Sequence, residues 1–263
     1  SDEHLIDASS KRGLWLCGSN GLMKIKEGKV RTFEESEIPR NENGCEGIAE
    51  SSGVVWVYSY PHLIQYDGNE WNKHKLKHKW EEGSGDVPLM DVGTNGNLFI
   101  YTGESSNLKN NIENIKRGGV IYKYDGESMT DIASTDNKVV GLHIDSENGI
   151  WVTTEGESRR VREELALKKY NIDKEGGSWT TYYTHRGISE VTTESPTVAW
   201  ANVTYFKMQD SRYRVGRIGP SSKTVYVHKS SPLPSDAKDI EVAPDGSIWF
   251  ATRKGLAQLS YWW

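Results

Sequence analysis

His143, in the stretch GLHIDSENG, is the residue of this 263-residue chain best placed for acid–base chemistry, because Asp145 follows it two positions later. Residues two apart on an extended strand share a face, so the pair would set an imidazole beside a carboxylate, as a general base requires. The competing reading is a structural histidine that donates to a carbonyl or carboxylate. The other histidines are scattered, with no His-x-His, HExxH or paired-cysteine motif, so the sequence gives a zinc site no support. It likewise contains no GxSxG elbow, P-loop or Gly-rich dinucleotide turn. The turns SENG and APDG have too few acidic ligands to be calcium loops. The sequence therefore implies no metal and no cofactor.

A second group of residues is cationic. The segments GESSNLKNNIENIKRGG (103–119) and EGESRRVREELALKK (155–169) bring Lys109, Lys116, Arg117, Arg159, Arg160 and Arg162 together with several glutamates. Guanidinium and ammonium donors of this kind suit an anionic or polyhydroxylated ligand under a lid, while a solvated mixed-charge loop with a helical turn within 155–169 is the plainer alternative. Four shorter stretches add to them: Tyr60 and His62 in YSYPHL, His185 and Arg186 in YTHRG, Asp210 and Arg212 in QDSRY, and Arg253 and Lys254 in TRKGL. An aromatic ring, two imidazoles and several guanidiniums around one mouth would fit a sugar or a carboxylate. The candidate ligand-binding set is therefore Tyr60, His62, Lys116, Arg117, Arg159, His185, Arg212 and Arg253.

The elements that must position these residues repeat. An aromatic behind a small or aliphatic pair recurs as Trp15 (RGLWLCGS), Trp56 (GVVWVYSY), Phe99 (GNLFIYTG), Trp151 (NGIWVTTE), Tyr205 (NVTYFKMQ) and Trp249 (GSIWFATR), at separations of 41, 43, 52, 54 and 44 residues. Each unit reads as short alternating β-branched and aromatic segments cut by Gly, Asn, Asp or Ser, which is the pattern of an antiparallel meander. Four strands in about 43 residues make one propeller blade. The expectation is a single-domain, all-β, six-bladed propeller with blades over about 1–40, 41–82, 83–133, 134–187, 188–233 and 234–263. The aromatics should fill the wedges between blades. The last unit has three strand segments, so blade six should be incomplete, with Tyr261–Trp263 over its edge and Trp249 and Trp15 as the closing anchors. The loops between strands two and three, and those linking one blade to the next, should share a face carrying the site.

GSIWFATRKGLAQL (246–259) and GLWLCGSNGLMKI (13–25) resemble the two-component regulator propeller repeat, whose pattern runs Gly, any, Ile, Trp, aliphatic, small, Thr, two variable, Gly, Leu. That resemblance implies an extracytoplasmic ligand sensor. YRVGRIGPSSKTVYV (213–227) is similar to a strand of the virginiamycin B lyase-like propellers, which implies a metal-assisted lyase, although its Gly-Arg-Ile signature occurs once. Two principal functions follow. One is a non-catalytic sensor or binding ring for a small polar, anionic or saccharide ligand or a protein partner; the other is a lyase or hydrolase with a His/carboxylate set at the mouth.

Composition narrows the field. With 32 basic against 37 acidic residues the net charge is −5, which argues against a nucleic-acid binder. No apolar run approaches the length of a membrane span, so membrane insertion is not expected. Cys17 and Cys45 read as buried thiols, with one bridge between adjacent repeats left open for an oxidising compartment. The compartment implied by the family resemblance is the periplasm or the exterior.

Overall fold

The computed structural model describes residues 5–9, 13–18, 21–33, 37–38, 45, 47–51, 53–59, 62–74, 89–103, 118–155, 165–172, 177–185, 188–207, 210–219, 223–227, 237–243, 247–252 and 255–259. These residues form antiparallel strands and turns, with no helix among them. Sheet one is β1 (Leu5–Ser9), β2 (Gly13–Gly18), β3 (Gly21–Lys26) and β4 (Lys29–Phe33), and sheet two is β5 (Gly47–Ser51), β6 (Val54–Ser59), β7 (His62–Tyr66) and β8 (Trp71–His74). Sheet three is β9 (Leu89–Val92), β10 (Leu98–Gly103), β11 (Gly119–Tyr124) and β12 (Met129–Thr135). Sheet four is β13 (Val139–Ile144), β14 (Ile150–Thr154), β15 (Leu165–Asn171) and β16 (Ser178–His185). Sheet five is β17 (Ile188–Ser195), β18 (Val198–Lys207), β19 (Asp210–Ile218) and β20 (Lys223–Val227). Sheet six has three strands among the described residues: β21 (Ala237–Val242), β22 (Ile248–Thr252) and β23 (Gly255–Leu259).

Every sheet is a meander in chain order, and the first strands touch cyclically: β1 meets β5, β5 meets β9, β9 meets β13, β13 meets β17, β17 meets β21, and β21 returns to β1. This is a β-propeller, with first strands around the axis and each sheet a blade. A lone four-stranded sheet cannot bury both faces, so each blade is stabilised through its neighbours.

The anchors do that packing. Trp15 lies with Cys45, Ile48, Val57 and Ile64 of blade two, and Trp56 with Val92, Leu98 and Ile100 of blade three. Phe99 lies with Ile144, Ile150 and Val152 of blade four, and Trp151 with Val191, Ala199 and Ile218 of blade five. Burying each such ring contributes roughly 1.5–3 kcal/mol. At the seam, Trp249 and Ala251 pack on Leu14 and Leu16, so Trp249 is a closing anchor as expected. Trp15 is not, because its ring faces the first-to-second blade interface.

Strand register also corrects the fifth anchor. Trp15, Trp56, Phe99, Trp151 and Trp249 oppose Lys24, Gln65, Lys123, Lys169 and Gln258 on their third strands, and in blade five Trp200 opposes Arg217. The equivalent residue is therefore Trp200, and Tyr205 sits five residues further along the same long strand. Two bulges in β17 against β18 break the alternation that would have marked the register.

Cys17 of β2 and Cys45, two residues ahead of β5, form a disulfide that ties blade one to blade two. Of the segment 155–169, in which a helical turn is expected, Leu165–Lys169 belong to β15 and residues 156–164 lie outside the described residues.

Candidate functional site

A polar cluster lies along the axis, built from the first strands of blades three to six. The residues opposite the anchors are Asp7, Ala49, Asp91, His143, Thr192 and Glu241. Each stands eight residues ahead of its anchor, or seven in blade two. One level of the ring thus holds three carboxyl residues, one imidazole, one hydroxyl and one methyl group.

His143 does not pair with Asp145, as the spacing of two had led us to expect. Its Nδ1 lies 3.0 Å from Asp91 Oδ2 on the preceding blade, and its Nε2 lies 3.0 Å from Thr193 Oγ1 on the following one. Asp91 Oδ2 also accepts from the Ile144 amide at 2.6 Å, and its Oδ1 accepts from the Val92 amide at 2.7 Å. In the same way Thr192 Oγ1 accepts from the Val242 amide of blade six at 3.3 Å. The rule is common to these blades: the side chain opposite one anchor reaches the next position along the following blade's first strand. Those inward-edge amides would otherwise go without a strand partner.

The environment fixes the charges. Burial alone would depress the His143 imidazolium, but the adjoining Asp91 carboxylate, with Glu241 and Asp145 further away, outweighs it and raises the group to about 9. Burial pushes the Glu241 carboxyl up to about 8; His143 opposes this, Asp91 and Asp239 add to it, and a hydrogen bond with Thr192 opposes it again. At neutral pH the cluster therefore holds an imidazolium with both N–H groups engaged and a neutral carboxyl. An imidazolium in that state is a fixed donor and cannot take up a proton. Among the described residues, no group of three or more His, Cys, Asp or Glu is arranged to hold a metal ion.

Asp145 belongs to a separate network at the turn between β13 and β14. Its Oδ1 accepts from the amides of Glu147 and Gly149 at 2.9 and 2.8 Å, and its Oδ2 from Trp151 Nε1 at 2.9 Å and Lys169 Nζ at 2.7 Å. Lys169 Nζ also donates to the Pro196 carbonyl at 2.7 Å, which joins blades four and five. This carboxylate orders the turn of SENG and orients the blade-four anchor.

Of the residues chosen from sequence, His62 opens β7 opposite Ser59 and is partly buried. His185 closes β16 opposite Leu165, and Arg212 lies on β19 opposite Tyr205. Meander topology puts all three toward the end of the ring where the second-to-third-strand loops and blade linkers gather. Tyr60, Lys116, Arg117, Arg159 and Arg253 lie outside the described residues. Sequence reasoning missed Asp91, Thr192, Thr193 and Glu241; the offset of eight before each anchor was the signal that could have found most of them.

No family model matches this chain, and no curated protein matches it. Solved structures do. A protein described as a gluconolactonase superposes with a TM-score of 0.63 at 11% identity, over 95% of this chain and 84% of that one. A gluconolactonase from Xanthomonas campestris gives 0.61 at 11% identity, over 93% and 81%. The extracellular domain of a hybrid two-component system from B. thetaiotaomicron gives 0.56 at 10% identity, over 97% of this chain and 38% of that one. At such identities the likeness is one of fold, which is shared by enzymes and sensor domains.

Proposed function

We propose that this chain is a non-catalytic binding propeller of the sensor type, taking a small polar or anionic ligand, saccharides and sugar acids included, through Tyr60, His62, Lys116, Arg117, Arg159, His185, Arg212 and Arg253, of which His62, His185 and Arg212 lie toward the linker end of the ring. The observation that carries this reading is the state of His143, the histidine on the axis. With Asp91 on one nitrogen, Thr193 on the other and a proton affinity raised to about 9, it serves as a structural tie and a poor base. The Cys17–Cys45 disulfide favours an oxidising, extracytoplasmic setting, as does the likeness to an extracellular sensor domain.

The test is a thermal-shift series with neutral monosaccharides, uronic and aldonic acids, run beside a hydrolysis assay on aliphatic lactones. Ligand binding to the native state raises Tm. A sugar or sugar acid that raises Tm without being turned over supports the reading. Lactone hydrolysis that disappears in His143→Gln would overturn it in favour of a hydrolase.

A further inference from the structure

We propose that the axial cluster is a proton-operated clasp, in which protonated His143 ties blades three, four and five together and loosens them as its proton leaves, with Glu241 of blade six as the facing carboxyl that modulates it. This does not depend on the identity of any ligand.

The geometry carries the argument. His143 is a single side chain with bonds of 3.0 Å to the blade before and 3.0 Å to the blade after. The link continues through Thr192, whose Oγ1 binds the Val242 amide beside Glu241. When the imidazolium loses a proton, Nδ1–H can stay with Asp91, but Nε2 becomes an acceptor and the Thr193 hydroxyl must turn to donate. Asp91 then loses the positive charge opposite it. When Glu241 loses its proton, an acceptor-only carboxylate enters a space already holding Asp91 and Asp239.

Among the described residues, the groups facing this cluster come from each neighbouring strand. β9 supplies Asp91; β13 supplies His143, with Asp145 beyond it; β17 supplies Thr192 and Thr193, neither of which titrates; β21 supplies Asp239 and Glu241. On β5 the equivalent residue is Ala49, and the neighbouring Glu50 turns its carboxylate to the Gly53 amide at 2.8 Å. β1 brings Asp7 to the same register level, opposite Trp15. No lysine or arginine stands at these six positions, so His143 is the one cation among them; Lys169, across Trp151 from His143, is paired with Asp145.

Both groups have raised proton affinity in the folded ring, and so both stabilise it most at low pH. His143 contributes in full below about 6.5 and loses that contribution as pH rises through about 9; Glu241 contributes below about 4.5 and loses it through about 8. The experiment measures Tm from pH 5 to 9.5 for the full chain and for Glu241→Gln, whose amide cannot ionise, together with the imidazole NMR titration of His143, assigned by its absence in His143→Gln. The clasp predicts a fall of about 8 °C between pH 6.5 and 9 in the wild type, cut by roughly two-fifths in Glu241→Gln. It also predicts a His143 titration midpoint above 8. A midpoint near that of an exposed histidine, or an alkaline loss unchanged in Glu241→Gln, would overturn the proposal. The NMR titration uses the wild-type chain, so it decides even if the variants fold poorly.

Discussion

Removing the Cys17–Cys45 bridge tests how far ring stability rests on the link between its first two blades. The bonded residues are 28 apart in sequence, and both lie in the cluster containing Trp15, Ile48, Val57 and Ile64. In the chain-entropy picture, closing a loop of that length in the unfolded chain is worth about 3.6 kcal/mol at 25 °C. A chain of this size unfolds with an entropy on the order of 0.55 kcal/mol per kelvin, so the expected loss is about 7 °C in Tm. The assay is calorimetry on three samples: oxidised protein, protein reduced until thiol titration finds two free thiols, and Cys17→Ala/Cys45→Ala. The reduced wild type isolates the cross-link, and the double variant adds the loss of two buried sulfurs, so its Tm should fall at least as far. If the fully reduced protein melts within a degree of the oxidised one, the bridge does not constrain the unfolded chain as argued. If oxidised preparations still titrate as two free thiols, the extracytoplasmic reading loses its structural support.

Other substitutions probe the remaining links. Asp145→Ala strands the buried Lys169 ammonium and frees the Trp151 indole, and should cost about 3–5 kcal/mol in denaturant titrations. Gly149→Ala drives a methyl against the Lys169 side chain and the Asp145 carboxylate, and should cost about 1–3 kcal/mol in the same measurement. Replacing Arg117 and Arg159 by Ala should weaken an anionic ligand about tenfold for each charge-assisted hydrogen bond lost, as read by calorimetric titration, with Tm nearly unchanged.

The fold was legible because blade packing needs the same large ring at the same place in each repeat, and that requirement writes a period into the chain. Trp15, Trp56, Phe99, Trp151 and Trp249 all sit where the repeat puts them, buried or half-buried between blades. Blade five hid its anchor because β18 is ten residues long and carries both Trp200 and Tyr205, while bulges in β17 blur the alternation. The axial cluster was less visible for a different reason. Its contacts run between strands about 50 residues apart, Asp91 to His143 and His143 to Thr193, and local spacing reports only neighbours on one strand. Hence the pattern drew attention to Asp145, whose carboxylate is committed to a turn, an indole and a lysine.

His62, His185 and Arg212, the described members of the ligand-binding set, lie toward the opposite end of the ring from His143 and Glu241, and that separation makes the two independently testable. A first strand begins at the blade linker, beside the end holding His62 and His185, and runs toward the turn into the second strand. His143 is the last residue but one of β13, and Glu241 holds the same place in β21. A ligand seated on the linker end is therefore most of a strand length from the imidazole, and His143 can influence it only through the packing of the blades. His143→Gln should then flatten the alkaline stability profile while changing the affinity of a linker-end ligand by less than about threefold, the scale of a surface substitution. Arg159→Ala should do the reverse. If His143→Gln abolishes binding while the ring stays folded, the ligand reaches the axis itself. Asp91, His143 and Glu241 would then form the binding site, and the basic loops would lie at its entrance.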